Sequence, residues 1–259
     1  MSTKHDTLTE EDMQRFRMNP ALLGQLRAHA GSRAPEPARI LDWGCGRGRS
    51  VALLRQEGFA AFGVDIDRAV LRNGHELFRA RGLDPERLLR HIDDIGTFGD
   101  GDFDIVFSEE TLEHVADLAQ VARESFRLLR PGGLAVHSFP GSRWLVEPHV
   151  HMPLVHWLPP SALRRLLIRA CLLLGHGPRP PWPEAAGSLR HQLDVYDRYL
   201  AEKTAYRPRG EVMAVFEREG FAGRWLDGEA SGWRRLLPAA LRDNGFPAGH
   251  LLLHLVKPA

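Results

Sequence analysis

Arg39-Ile40-Leu41-Asp42-Trp43-Gly44-Cys45-Gly46-Arg47-Gly48-Arg49-Ser50 reads as a short buried strand, an acid, a glycine-rich turn and the start of a helix. Each glycine removes a Cβ where backbone must turn sharply or touch a ligand. The helix that follows offers unpaired N–H groups and the positive end of its dipole. Asp42 stands where an ammonium or hydroxyl could be held. Such a turn binds a nucleotide-like cofactor; a tight strand-to-helix turn without a ligand is the plain alternative. A dinucleotide fingerprint wants G-x-G-x-x-G/A, its last small residue packing helix on strand. Counted from Gly44 that position is Arg49, and the third glycine comes one place early at Gly48.

The D-x-G-x-G-x-G spacing resembles the first motif of the class I S-adenosylmethionine-dependent methyltransferases. In that family no pyrophosphate is cradled, and the glycines let the cofactor's methionine part and ribose lie against backbone. The resemblance implies a cofactor-binding role for Asp42, Gly44, Cys45 and Gly46. Ala60–Asp67 reads as a second strand ending in acids. Asp65 lies about 20 residues beyond the glycine loop, where a carboxylate can accept both ribose hydroxyls. The resemblance gives it that role and places Ile66 against the adenine, while Asp67 suits a helix N-cap. Leu88–Ile95 reads as a third strand and its exit loop. There the resemblance implies an acid on the adenine amino group: Asp93 by spacing to Phe103-Asp104, or Asp94, with Ile95 as the apolar neighbour.

Asp-Gly at 100–101 marks a turn and the following apolar run a buried fourth strand. Its continuation Glu109-Glu110-Thr111-Leu112-Glu113-His114-Val115 resembles a later motif of small-molecule methyltransferases, which implies that Ser108 and Glu109 line the cofactor cleft. His114 titrates near neutrality and is a candidate base; packing at the start of the next helix is the plainer reading. Leu118–Leu129 has a helical apolar face stopped by Pro131-Gly132-Gly133, with a fifth strand over Leu134–Phe139. The resemblance runs from about Ile40 to Phe139. It implies an α/β fold: a doubly wound, mostly parallel seven-stranded sheet with an antiparallel last strand, plus a mainly helical insertion or lid.

The chain has 259 residues, 43% of them hydrophobic, enough for a proper core. With 34 basic against 33 acidic residues the formal charge is +1, so charge gives no argument for nucleic acid. Two cysteines, Cys45 and Cys171, make no disulfide framework, and no Cys-x-x-Cys occurs to suggest structural zinc. The first residues lack an apolar signal core, and no run is long enough to span a membrane, which leads to the expectation of a cytoplasmic protein.

Outside the core, residues 8–31 read as helix, capped by Thr9 and broken at Asn19-Pro20. By analogy with the family this segment covers the cofactor. The expected organisation is an N-terminal helical cap and linker over 1–37, the cofactor-binding core over 38–139, an inserted lid over 140–208, and closing elements over 209–259. Residues 140–160 carry too many prolines for regular structure. Helices are expected over Ala162–Leu174, Leu189–Ala205 and from Arg209 through Glu219, with the last strand at His250–Val256.

The lid carries His149, His151 and His156 with Trp144, Trp157 and Trp182. Two histidines at i, i+2 on extended chain point the same way, as metal ligands would; separately, His149 and His151 are candidate catalytic or acceptor-contacting residues. With no cysteine near and Glu147 the one acid close by, no metal site is expected. The tryptophans fit a partly apolar acceptor pocket or simply bury the lid. The helix from Ala162 is apolar with arginines on one side. A peripheral membrane contact or lipid-like substrate is the sharper reading, packing on its own protein the plainer one.

These readings converge on methyl transfer from S-adenosyl-L-methionine to a small or medium organic acceptor, with oxygen first by frequency within the family. Residues 141–160 also loosely resemble bacterial methyltransferases of glycan or secondary-metabolite clusters. The rivals are a nicotinamide-dependent oxidoreductase, opposed by Arg49 and the Leu-Glu-His-Val segment, and a non-catalytic cofactor-binding domain.

Overall fold

The computed structural model describes residues 7–31, 37–226, 236–244, 246 and 249–259. The linker reading at Ala34-Pro35-Glu36 lies outside the described residues. A seven-stranded sheet is built from β1 (Arg39–Trp43), β2 (Ala60–Asp65), β3 (Leu89–His91), β4 (Phe103–Glu109), β5 (Leu129–Pro140), β8 (Ala222–Trp225) and β9 (His250–Val256). The intervening β6 (Val146–Glu147) and β7 (Met152–Pro153) form a separate two-stranded ladder. Strand order is β3-β2-β1-β4-β5-β9-β8, and only β9 runs antiparallel to its neighbours. This is the expected sheet. Its order reverses between β1 and β4, where the loops leaving both strands open a crevice.

Alternation along the strands decides what each face meets. Glu109 pairs in register with Ser138 and Ser108 with His137. The Glu109 and Ser138 face lies under Asn19, which leads into α2 (Pro20–Gly31). The other face meets α9 (Arg209–Arg218), whose Phe216 ring lies 5.2 Å from His137. The short α1 (Glu10–Arg15) starts at a capping box in which Thr9 and Asp12 satisfy each other's backbone N–H. Asn19 Oδ1 then accepts the Ala21 N–H at 2.9 Å, and the expected break falls at Asn19-Pro20.

Three elements differ from the sequence reading. The third strand is only Leu89–His91, because Asp84 caps a helical turn over Pro85–Leu88 and a 3-10 turn takes Ile92–Thr97. The Pro131-Gly132-Gly133 run does not sit between helix and strand. α6 (Leu118–Leu128) ends before it, and the run forms an irregularity inside a twelve-residue β5, tied to the far strand by Gly132 N–H to Lys257 O at 2.9 Å. Residues 140–160 are not wholly irregular, since β6 and β7 pair within them.

Beyond β5 lie α7 (Ala162–Leu173) and α8 (Leu189–Glu202). They bury their own apolar cluster, Val150, Met152, Val155, Ile168, Cys171, Leu193, Tyr196 and Leu200, apart from the main core under the sheet. Arg164, nearly fully buried, binds Asp197 at 2.7 Å and locks α7 to α8. No helix among the described residues is long and apolar enough to cross a membrane.

Candidate active site

The glycine loop packs tightly on β2. Gly44 and Cys45 donate to Val64 O at 2.8 and 3.0 Å, Gly46 to Asp65 Oδ2 at 2.8 Å, and Gly48 to Cys45 O at 2.9 Å. These four N–H groups are spent inside the protein, so they cannot cradle a phosphate. The other Asp65 oxygen accepts the Asp67 N–H at 2.8 Å. Asp65 is thereby held rigid at the end of β2, with lone pairs to spare for a ligand hydroxyl.

Two glycines show where a ligand has room. A Cβ on Gly46, at φ +54, would meet only Val70 Cγ1 at 3.8 Å and project into open space. A Cβ on Gly63 would strike Cys45 Cβ and Sγ at 2.6 Å. Gly63, which sequence reasoning passed over, is what lets Cys45 seat on β2. The buried Cys45 thiol is pushed well up by burial and by Asp42 and Asp65, so it is no nucleophile.

Three carboxylates converge here. Burial, then the charges on Glu109 and Asp65, push the buried Asp42 carboxyl well above the usual carboxylate range. Burial also raises Glu109, against the Asn19 N–H donated to its Oε1 at 2.7 Å. Buried acids that resist ionisation suit a ligand bringing cations, such as a sulfonium and an ammonium. A pyrophosphate would add to the repulsion. Ile66, beside Asp65, is an apolar side chain 79% exposed.

The remaining predicted cofactor residues divide. Asp93 is engaged by Arg68 at 3.2 Å and by His91 at 3.0 Å, whereas among the described residues no hydrogen bond or ion pair engages the exposed Asp94 carboxylate. Ile95 is buried beneath them. Ser108 is a correction: its side chain is fully buried and its Oγ lies 2.8 Å from His137 Nδ1, on the sheet face away from Glu109, so it does not line the cleft. Burial lowers His137 to about 3, which keeps it neutral. Asn19 had no motif to announce it, yet it ties the N-terminal cap to the ends of β4 and β5. Arg49 stacks over the Phe16 ring at 4.8 Å and adds a second tie.

The lid brings a polar cluster to the loop after β4. Glu147 is completely buried and accepts from His149 N–H at 2.7 Å, Val150 N–H at 2.5 Å and Tyr206 Oη at 2.6 Å. His149 Nδ1 lies 2.8 Å from Glu147 Oε1. Burial alone would raise Glu147; the bonds from His149, Tyr206 and Val150 outweigh it and hold the carboxyl below its usual range. His114 Nδ1 lies 2.6 Å from Lys203 O, and its ring centroid is 4.9 Å from that of His149. Arg207, donating to Val115 O and Ala116 O, and Ala205 N–H on Glu113 O stitch the lid's exit to the same loop.

His114 and His149 therefore meet, and His151 does not join them. It is exposed at φ +53, on a turn rather than an extended run, so the i, i+2 argument for a shared direction fails. His156 is lowered by burial to about 4 and packs 4.9 Å from Tyr206. Trp182 packs on Tyr196 and Tyr199 inside the lid, while Trp157 donates to Trp144 O at 3.0 Å. A small cavity lined by Glu113, Phe139, Tyr206 and Arg207 opens where lid and core meet.

The profile of a family described as a methyltransferase domain matches residues 13–225. A ubiquinone biosynthesis O-methyltransferase of Caulobacter vibrioides is 31% identical over 125 residues, 45% of this chain and 50% of the relative. A 2-methyl-6-phytyl-1,4-hydroquinone methyltransferase of Synechocystis sp. is 32% identical over 137 residues, 51% of this chain and 40% of the relative. The chain thus spans about half the length of these curated relatives or less. In fold it is similar to an S-adenosylmethionine-dependent methyltransferase from Mesorhizobium loti, with TM-score 0.52 and 20% identity over 92% of this chain and 99% of that one. With the glycine loop, the strand order and the acid-lined crevice, these matches make the chain a member of the class I S-adenosylmethionine-dependent methyltransferases.

Proposed function

We propose that this chain transfers a methyl group from S-adenosylmethionine to an oxygen of a small or medium organic acceptor. The observation that carries the reading is the crevice at the ends of β1, β2 and β4, where Asp42, Asp65 and Glu109 converge around the open space at Gly46. In this reading Asp65 accepts the ribose hydroxyls, Asp42 faces the ammonium end, Gly44 and Gly46 give the cofactor room, and Ile66 covers the adenine. Asp94, exposed and unengaged, is better placed than Asp93 to take the adenine amino group. When bound, the cofactor supplies a methyl on a positively charged sulfur. The chain's own residues orient the acceptor, exclude water and take its proton.

The proton acceptor belongs to the lid cluster. Glu147, held ionised, fixes the His149 ring through Nδ1 and leaves the Nε2 lone pair for a proton, in a ring packed 4.9 Å from that of His114. Oxygen is favoured because the relatives over the core include a ubiquinone-biosynthesis O-methyltransferase. The hydroquinone methyltransferase adds the class of acceptor to try first: a phenolic ring with an apolar tail.

The test is a panel of phenols, hydroquinones, amines and sugars with cofactor carrying a 13C methyl, whose chemical shift in the product separates O-, N- and C-methylation. Transfer to ring hydroxyls is expected. His149→Ala should lower turnover at least tenfold with cofactor affinity unchanged. Products methylated only at nitrogen or carbon would overturn the oxygen assignment.

A further inference from the structure

The geometry points to a divalent transition-metal site formed by Glu113, His114 and His149. One potential ligand atom from each lies within 4.8 Å of the others. His114 Nε2 is 3.8 Å from Glu113 Oε1, and the Glu113 carboxylate is 1% exposed against 27% for His114. The set spans two parts of the chain, the turn after β4 and the lid, so no sequence spacing announces it.

Proton accounting fixes the tautomer of both rings. A backbone carbonyl only accepts, so the bond to Lys203 O places the proton of neutral His114 on Nδ1. His149 Nδ1, 2.8 Å from Glu147 Oε1, is in the same position: a carboxylate oxygen accepts, so the proton of neutral His149 sits on Nδ1. Each ring then keeps its lone pair on Nε2. A second nitrogen given to a carboxylate or carbonyl is the arrangement that orients metal-bound histidines. Here it occurs twice, in two rings whose centroids are 4.9 Å apart.

Two imidazole nitrogens and one carboxylate suit zinc better than magnesium or calcium, which prefer all-oxygen shells. Tetrahedral zinc sets its ligand atoms about 3.3 Å apart, so the set would close by about 1.5 Å through turns of two half-buried rings. One coordination position would stay open, beside the cavity that Glu113 also lines. An acceptor hydroxyl held there would lose its proton more easily, to solvent and not to His149, whose Nε2 the ion would occupy; the ion would then take over from His149 the activation of the hydroxyl. That role rests on the methyl-transfer reading; ion binding itself does not.

Protein stripped with a chelator and dialysed is titrated with zinc chloride in a calorimeter, without cofactor or acceptor. One equivalent is expected to bind, weakened at least tenfold in His114→Ala and in His149→Ala. Glu147→Gln should weaken it by about 10- to 100-fold through the ring it orients. His176→Ala, an exposed lid histidine, should bind as wild type does. Thermal melts establish that each variant is folded. Cobalt(II) on the wild type gives a check that needs no variant: intense visible bands of a four- or five-coordinate ion are expected. Zinc binding no tighter than in the His114→Ala/His149→Ala double variant, or a cobalt spectrum like that of the aqueous ion, overturns the site. Methyl transfer persisting in stripped protein that binds no zinc would overturn the metal and leave the transferase reading standing.

Discussion

The Asp65 carboxylate accepts a backbone N–H with each oxygen, from Gly46 and from Asp67, which aims it at the cleft before any ligand arrives. Asp65→Ala should weaken S-adenosylmethionine binding by about 1.5–3 kcal/mol, the range of charge-assisted hydrogen bonds. Calorimetry on a folded variant with unchanged affinity would remove Asp65 from the cofactor site. His137 gives a stability prediction. Its pKa falls from 6.5 to about 3 on folding, so the unfolded chain binds the extra proton. The stability from this group is complete above pH 6.5 and declines as pH falls toward about 3, with about 2 kcal/mol lost by pH 5. Urea unfolding at pH 7.5 and pH 5 measures it. The double variant His137→Phe/Ser108→Ala should show a smaller difference by that amount, and an unchanged difference would assign the proton elsewhere. At this scale the sequence was legible where a residue type has few uses, as with the acid ending β2. It misled at Ser108, because which face of a strand a side chain takes depends on a register that one strand does not reveal. Asn19 and Gly63 were missed because their partners, Glu109 and Cys45, lie in a distant part of the chain or in the loop that leaves the neighbouring strand.

Among the elements, the glycine loop separates ligand room from packing. Gly46→Val should abolish cofactor binding at some cost in stability, since its side chain fills the room beside Val70 and φ +54 strains a β-branched residue. Gly63→Val should lower stability, by about 1–3 kcal/mol or more, because Cys45 cannot retreat from β2. Circular dichroism, melts and cofactor titration on both variants decide; retained binding in Gly46→Val would make the loop a structural turn only. Helix starts were read well: Thr9 and Asp67 both accept the N–H bonds that a cap should. Strand ends were not. Asp84 converts the approach to β3 into a helical turn, and the Pro131-Gly132-Gly133 run continues into β5 because Lys257, the residue after β9, offers its O across from it. Neither partner is visible in a local window.

In the whole molecule, a sheet with its own core and a lid with another meet at a polar seam: Glu113 and His114 from one side, Glu147, His149 and Tyr206 from the other. The core was legible in the sequence because five short motifs kept their order and spacing. The seam was legible only as a list of histidines. The lid's turns fixed which of them meet the core, drawing His149 in and leaving His151 outside. The placement of this seam over the ends of the strands is what a transferase needs, since methyl transfer must be shielded from water. The central claim is that the seam and the acid-lined crevice together move a methyl group. The most direct measurement is to incubate the purified protein with S-adenosylmethionine labelled in its methyl group and a metabolite extract of its host, following label and S-adenosylhomocysteine together. Label is expected in a small organic product, with one S-adenosylhomocysteine formed per methyl transferred. Cofactor that binds at the crevice but gives neither labelled product nor S-adenosylhomocysteine with any fraction would contradict it.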